Sequence, residues 1–151
     1  MTCVSKMIAM TLSADALDIL GVEHREVSPE QEIVQAIRRG FSIRLASQIA
    51  TRFNIPESKL AQLIGITPRT LARHKKGKKI LTQAPSDRLY RLARVIALAK
   101  EVFESETTAK DWLNRPNRAL GGTKPLELLD TDAGVEQVVD LLNRIDYGVY
   151  S

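Results

Sequence analysis

The sequence is poor in cysteine, in aromatic residues and in long apolar runs. Cys3 is the single cysteine among 151 residues. One thiol excludes a disulfide framework and a cysteine-based metal site, and it fits a reducing compartment. Aromatic residues make up 5% of the chain. Leu, Ile, Ala and Val therefore carry the apolar content, which favours packed helices over a β-sandwich. Met7–Met10 is too short an apolar run for a signal peptide or a membrane span, so a cytoplasmic protein without membrane contact is expected. His24 and His74 stand fifty residues apart, with no partner at the spacing of a metal site or a catalytic triad. Gly121-Gly122-Thr123-Lys124 lacks the spacing of a phosphate-binding loop and reads as a tight turn. Asp130, Asp132 and Glu136 read as helix-start charges. The chain is expected to be no enzyme and to hold no cofactor or metal.

What is present centres on Ala61–Leu71, read Ala-Gln-Leu-Ile-Gly-Ile-Thr-Pro-Arg-Thr-Leu. Leu60, Ala61 and Ile64 share one face of a short helix. Gly65 stands where a helix end needs a left-handed residue. Thr67 offers a hydroxyl as N-cap, and Pro68 takes the first helical position, where a missing N–H costs nothing. Leu71 returns to the core, while Arg69, Thr70, Arg73 and His74 face outward. This is the pattern of a helix-turn-helix. Arg69, Arg73, Lys75, Lys76, Lys78 and Lys79 then place six positive charges in eleven positions, with no acid among them. A one-sign block at the end of a recognition helix is what a phosphate backbone attracts. The candidate DNA-binding residues are Thr67, Arg69, Thr70, Arg73, His74, Lys75, Lys76, Lys78 and Lys79.

The net charge of +4 conceals an asymmetry. Residues 1–99 hold 16 Lys/Arg against 8 Asp/Glu, a surplus of 8 positive charges; residues 100–151 hold 6 against 10, a surplus of 4 negative ones. The first part suits a polyanion and the second suits another partner. Ser13–Leu20 reads as a short helix closed by Gly21. Ser28, Pro29 and Gln31 read as a capping box before a helix that Gly40 ends. Ser42 caps the next helix, with Leu45, Ile49 and Phe53 on one face. Leu81–Pro85 reads as a connector, and Ser86 and Asp87 as the cap of a long helix. Its apolar stripe is Leu89, Leu92, Ile96, Ala99 and Phe103, which also suits dimer packing. Thr107 and Thr108 restart helix, and Trp112 and Leu113 close it. Asn114–Leu129 reads as an anchored loop. Thr131 and Asp132 open the last helix, with Val135, Val138, Val139, Leu142 and Ile145 inward, and Gly148 ends it. The expected fold is all-α. The expected divisions are residues 1–27 as an N-terminal segment with a disordered start, 28–104 for DNA binding and dimerisation, and 105–151 as a second helical domain.

The second half carries a distinctive pattern. Trp112-Leu113-x-x-Pro116-Asn117-x-x-Leu120-Gly121-Gly122-x-x-Pro125-Leu126-x-Leu128-Leu129-x-Thr131-x-x-Gly134 is followed by Val138-x-x-Leu141 and Tyr147-Gly148. It closely resembles the toxin-binding domain of the Xre/MbcA/ParS antitoxins. The helix-turn-helix and the long helix match the rest of that family, from about Ile33 onward. The resemblance implies an Xre/Cro-like helix-turn-helix domain followed by a small helical toxin-binding domain. It implies an antitoxin of a type II pair that blocks a RES-domain toxin acting on NAD and represses its own operon by binding operator DNA. A homodimer within a larger toxin–antitoxin complex is expected.

The candidate toxin-binding residues are Trp112, Asn117, Leu120, Lys124, Asp146, Tyr147, Val149, Tyr150 and Ser151. Trp112, Leu120, Gly121, Gly122, Pro125 and Leu126 match the family pattern and equally suit holding the domain's shape. Asp146, Tyr147, Tyr150 and Ser151 are less constrained by packing. Tyr150 offers a flat ring and Ser151 a terminal carboxylate, which suit a pocket built for a nucleotide. Two readings of inhibition stay open: the tail enters the toxin's NAD pocket, or the body of the domain blocks access. Two alternatives to the whole reading also stand, a stand-alone repressor whose second domain only dimerises, and an inhibitor whose DNA-binding surface is vestigial.

Overall fold

The structure, a computed structural model, describes residues 15–21 and 29–148. Helix α1 covers residues 15–19. It is followed by α2 (Pro29–Arg39), α3 (Ile43–Arg52), α4 (Glu57–Ile64), α5 (Pro68–Gly77), α6 (Gln83–Phe103), α7 (Glu106–Leu113) and α8 (Asp132–Asp146). Two 3-10 turns, η1 (Arg118–Leu120) and η2 (Pro125–Leu128), lie between α7 and α8. Among the described residues no strand forms; pairing is limited to the bridges Ser42–Ile80 and Asn117–Thr123. The all-α expectation holds. No helix of the described residues is long and apolar enough to cross a membrane. The Ser28 cap, Cys3 and His24 lie outside the described residues.

The chain forms two compact units that divide between Arg94 and Val95, within α6. This helix lies wholly within the expected 28–104 domain, so the division falls earlier than expected. In the first unit, Ile43, Ile49, Phe53, Leu60, Leu63, Ile64, Leu71, Leu81, Leu89 and Leu92 are buried. Ser42 caps α3 by accepting the Leu45 N–H at 3.2 Å. Asn54, with φ of 55°, turns the chain, and buried Ile55 anchors it before Pro56 opens α4.

The start of α6 differs from expectation. The helix begins at Gln83, so Ser86 is inside its first turn rather than at the cap. Pro85 is tolerated there because first-turn N–H groups have no helical partner. The buried Ser86 hydroxyl accepts the Phe41 N–H at 3.0 Å and donates to the Leu81 carbonyl at 3.3 Å. Two backbone bonds run alongside, Leu81 N–H to Phe41 at 2.8 Å and Ile43 N–H to Lys79 at 3.0 Å. The chain leaving α5 is thereby pinned to the start of α3. Gly40 permits this approach: its φ is +85°, and a Cβ there would overlap the Leu81 carbonyl.

The apolar stripe of α6 is already covered. Leu89, Leu92, Ile96 and Ala99 are buried within the single chain, and Phe103 is half-buried. Most of that stripe is therefore engaged within the chain, and only Phe103 keeps part of its surface open.

In the second unit, Ser105 caps α7 by accepting the Thr108 N–H at 3.2 Å, so the helix starts at Glu106, one residue before the expected Thr107. Ala109, Leu113, Leu126, Leu129, Val138, Leu141 and Leu142 are buried. On α8 the inward face is Gly134, Val138, Leu141 and Leu142; Val135, Val139 and Ile145 are half-buried at its margins. Thr131 caps this helix by accepting the Gly134 N–H at 3.0 Å. A Cβ on Gly134 would run into the backbone carbonyl of Leu128, so only glycine lets α8 meet η2 this closely.

Candidate functional site

The first candidate surface is α5. Gly65 ends α4 in the left-handed region, at φ 74° and ψ 34°. A three-residue turn, Gly65-Ile66-Thr67, separates the two helices. Thr67 accepts the Thr70 N–H at 3.1 Å, and Pro68 fills the first helical position. Leu71 is buried and seats the helix. Ala61 is fully buried beneath it, which leaves no room for a larger residue.

These contacts fix what points outward. Arg69, Arg73 and Lys76 are exposed at helical spacings of four and three, so they form one stripe. Lys78 and Lys79 are exposed beyond it. Lys78 adopts the left-handed conformation at φ 48°, although Gly77 precedes it.

Four candidates have other engagements. The Thr67 hydroxyl caps the helix and donates to the Thr70 hydroxyl at 2.9 Å. Thr70 is half-buried. His74 does not face out: it is half-buried, and its Nδ1 is shielded without a hydrogen-bond partner. It stands three residues after Leu71, on the flank of the buried face. Lys75 forms an ion pair with Glu57 at the start of α4.

The second candidate surface belongs to the second unit. Asn117 organises the loop after α7. Its side-chain oxygen accepts the Ala119 N–H at 2.9 Å, and its backbone N–H donates to Thr123 at 3.1 Å. Its carbonyl accepts from Leu120 and Gly122. Gly121 and Gly122, at φ of +67° and +82°, close this turn. Leu120 is half-buried and Lys124 is exposed. Asp146 and Tyr147 are exposed, with 71% of Tyr147 open to solvent. Val149, Tyr150 and Ser151 lie outside the described residues.

Trp112 is half-buried, its ring 5.5 Å from that of Phe103 and tilted by 46°. It lines a cleft of about 330 Å³ together with Thr108, Asp111, Arg115, Pro116 and Asn117. Thr108, Asp111 and Arg115 escaped sequence reading. Part of the signal was present, since Thr108 and Trp112 are four residues apart on one face of α7, whereas Arg115 lies beyond the end of that helix. Among the described residues no cluster of His, Cys, Asp or Glu is arranged to hold a metal.

Residues 32–94 match the family of the antitoxin Xre-like helix-turn-helix domain, and residues 98–148 match that of the antitoxin Xre/MbcA/ParS C-terminal toxin-binding domain. The antitoxin Xre of Yersinia enterocolitica is 32% identical over 79% of this chain and 81% of its own length. The antitoxin Xre of Pseudomonas putida is 32% identical over 82% of this chain and 76% of its own. A chain of the solved Mycobacterium tuberculosis MbcT–MbcA toxin–antitoxin complex superposes with a TM-score of 0.51 and 26% identity, over 70% of this chain and 94% of that one. The two units thus define a helix-turn-helix antitoxin of a toxin–antitoxin system. The chain belongs to the Xre/MbcA/ParS antitoxin family.

Proposed function

We propose that this antitoxin binds and blocks a RES-domain toxin that consumes NAD, and that it represses its own operon through α5. The observation that carries the reading is the pairing, on one chain, of a one-sign outward stripe with an acidic second unit of the toxin-binding type. Arg69 and Arg73 lie one turn apart and enter one major groove together. Lys76, Lys78 and Lys79 meet phosphates. A helix-turn-helix reads two half-sites as a dimer, so the protein pairs. The covered stripe of α6 leaves that pairing to another surface. The surface of Trp112, Asn117 and Leu120 anchors the complex, and Lys124, Asp146, Tyr147 and the residues after Gly148 meet the toxin beside it. Tyr150 enters the NAD pocket and Ser151 follows it.

The test uses the toxin encoded by the adjoining reading frame. Full-length antitoxin is expected to prevent NAD loss when co-expressed with it and to retard a DNA fragment of the shared promoter. A chain ended at Tyr147 is expected to fold and bind the promoter normally, yet to let NAD fall. Protection equal to that of the full chain places inhibition in the body of the domain. NAD loss unaffected by the full-length protein overturns the reading.

A further inference from the structure

We propose that the cleft lined by Trp112 receives an arginine side chain of the toxin, with the indole against the guanidinium and the Asp111 carboxylate at its edge. The proposal rests on the second unit being the toxin-binding one. Trp112 is held by α7 and by its contact with Phe103, so the ring is positioned before any partner arrives. It is half-buried and lines the cleft, so part of its surface stays accessible. At about 330 Å³ the cleft is at the small end of ligand pockets, which fits one inserted side chain.

The charge of the occupant follows from three observations. The second unit carries ten acids against six bases, so a basic surface complements it. Asp111 supplies the carboxylate of the lining, while the Asn117 side-chain oxygen is taken by the Ala119 N–H. The present contact of Asp111 is a long one, 3.9 Å to Arg115, between side chains 52% and 77% exposed. Solvent screens such a pair, and an incoming cation readily replaces Arg115. Arginine suits the site better than lysine, because its planar head stacks on an indole and meets a carboxylate through two parallel hydrogen bonds.

The test is calorimetric titration of the full chain with the toxin encoded by the adjoining reading frame. Asp111→Asn is expected to weaken binding at least about tenfold, as is Thr108→Arg, which places a competing guanidinium over the cleft. Arg115→Ala is expected to leave affinity equal or higher. Thermal melting and promoter binding of all three variants should match wild type, which separates loss of the contact from loss of fold. The opposite pattern, with Arg115→Ala weak and Asp111→Asn tight, shows that the cleft takes an anion and overturns the proposal. Wild-type affinity in all three overturns it while leaving the toxin-binding role intact. No binding by the wild-type chain removes both.

Discussion

The two units use the same devices to opposite ends. The turn before α5 and the turns before α8 each combine a left-handed glycine with a threonine N-cap, Gly65 with Thr67 and Gly121-Gly122 with Thr131. In the first unit these residues sit at helix ends, and Arg69, Arg73 and Lys76 project as a stripe from the helix that follows. In the second unit the distinctive residues are themselves the framework: Asn117 is spent on its own turn, and Gly134 on a close approach to Leu128. A distinctive pattern therefore marks helix ends that present a basic stripe in one unit, and the framework of a loop and a close helix contact in the other.

The strongest way to break this comparison is to remove one unit at a time. Gly134→Val forces a side chain into the Leu128 carbonyl and should cost several kcal/mol, on the scale of severe core disruptions, about 4 or more. Toxin capture should vanish while promoter binding persists. Leu71→Ala should cost about 2–5 kcal/mol in the first unit and do the reverse. Thermal unfolding with both binding assays checks the pair; a common loss of both activities would mean that the units do not act separately.

A smaller effect tests the outward stripe. Arg73→Ala should weaken promoter binding by about 1–3 kcal/mol if the side chain reads a base. Toxin binding should not change. Equal loss on promoter and random DNA would assign Arg73 to phosphate contact instead.

The smallest expected effect sharpens the comparison. Glu57→Gln frees Lys75 and removes a negative charge beside the basic run. Affinity for any DNA should rise about twofold to fivefold at low salt, and the gain should fade as salt rises. The lost surface ion pair should cost less than about 1 kcal/mol of stability. An unchanged salt slope in a fluorescence titration would show that Lys75 has no part in binding.

The sequence made the helix-turn-helix legible because its signals are local. Gly65, Thr67, Pro68 and Leu71 act within a few residues of one another. The start of α6 departs from the expected cap because the partner of Ser86 is the N–H of Phe41, 45 residues earlier. A serine beside an acid looks like a cap when that distant bond is invisible. His74 departs from the expected outward face because, three residues from Leu71, it shares the edge of the buried side. The α6 stripe suits a core and a partner equally in sequence, because periodicity reveals an apolar face but not what covers it. The cleft at Trp112 depends on side chains of α7 and the following loop meeting in space, and only its helical spacing was visible.

The bonds joining Phe41, Ile43, Lys79, Leu81 and Ser86 also bear on how this part of the chain can be moved. The chain enters and leaves the helix-turn-helix at one place, so residues 41–86 form a closed loop tied at its neck. A segment whose ends already meet is the kind that tolerates transplantation into a host loop, since little span has to be bridged. The segment that carries α5 is accordingly tied at both ends to one point, with Gly40 and Ser86 as its clasp.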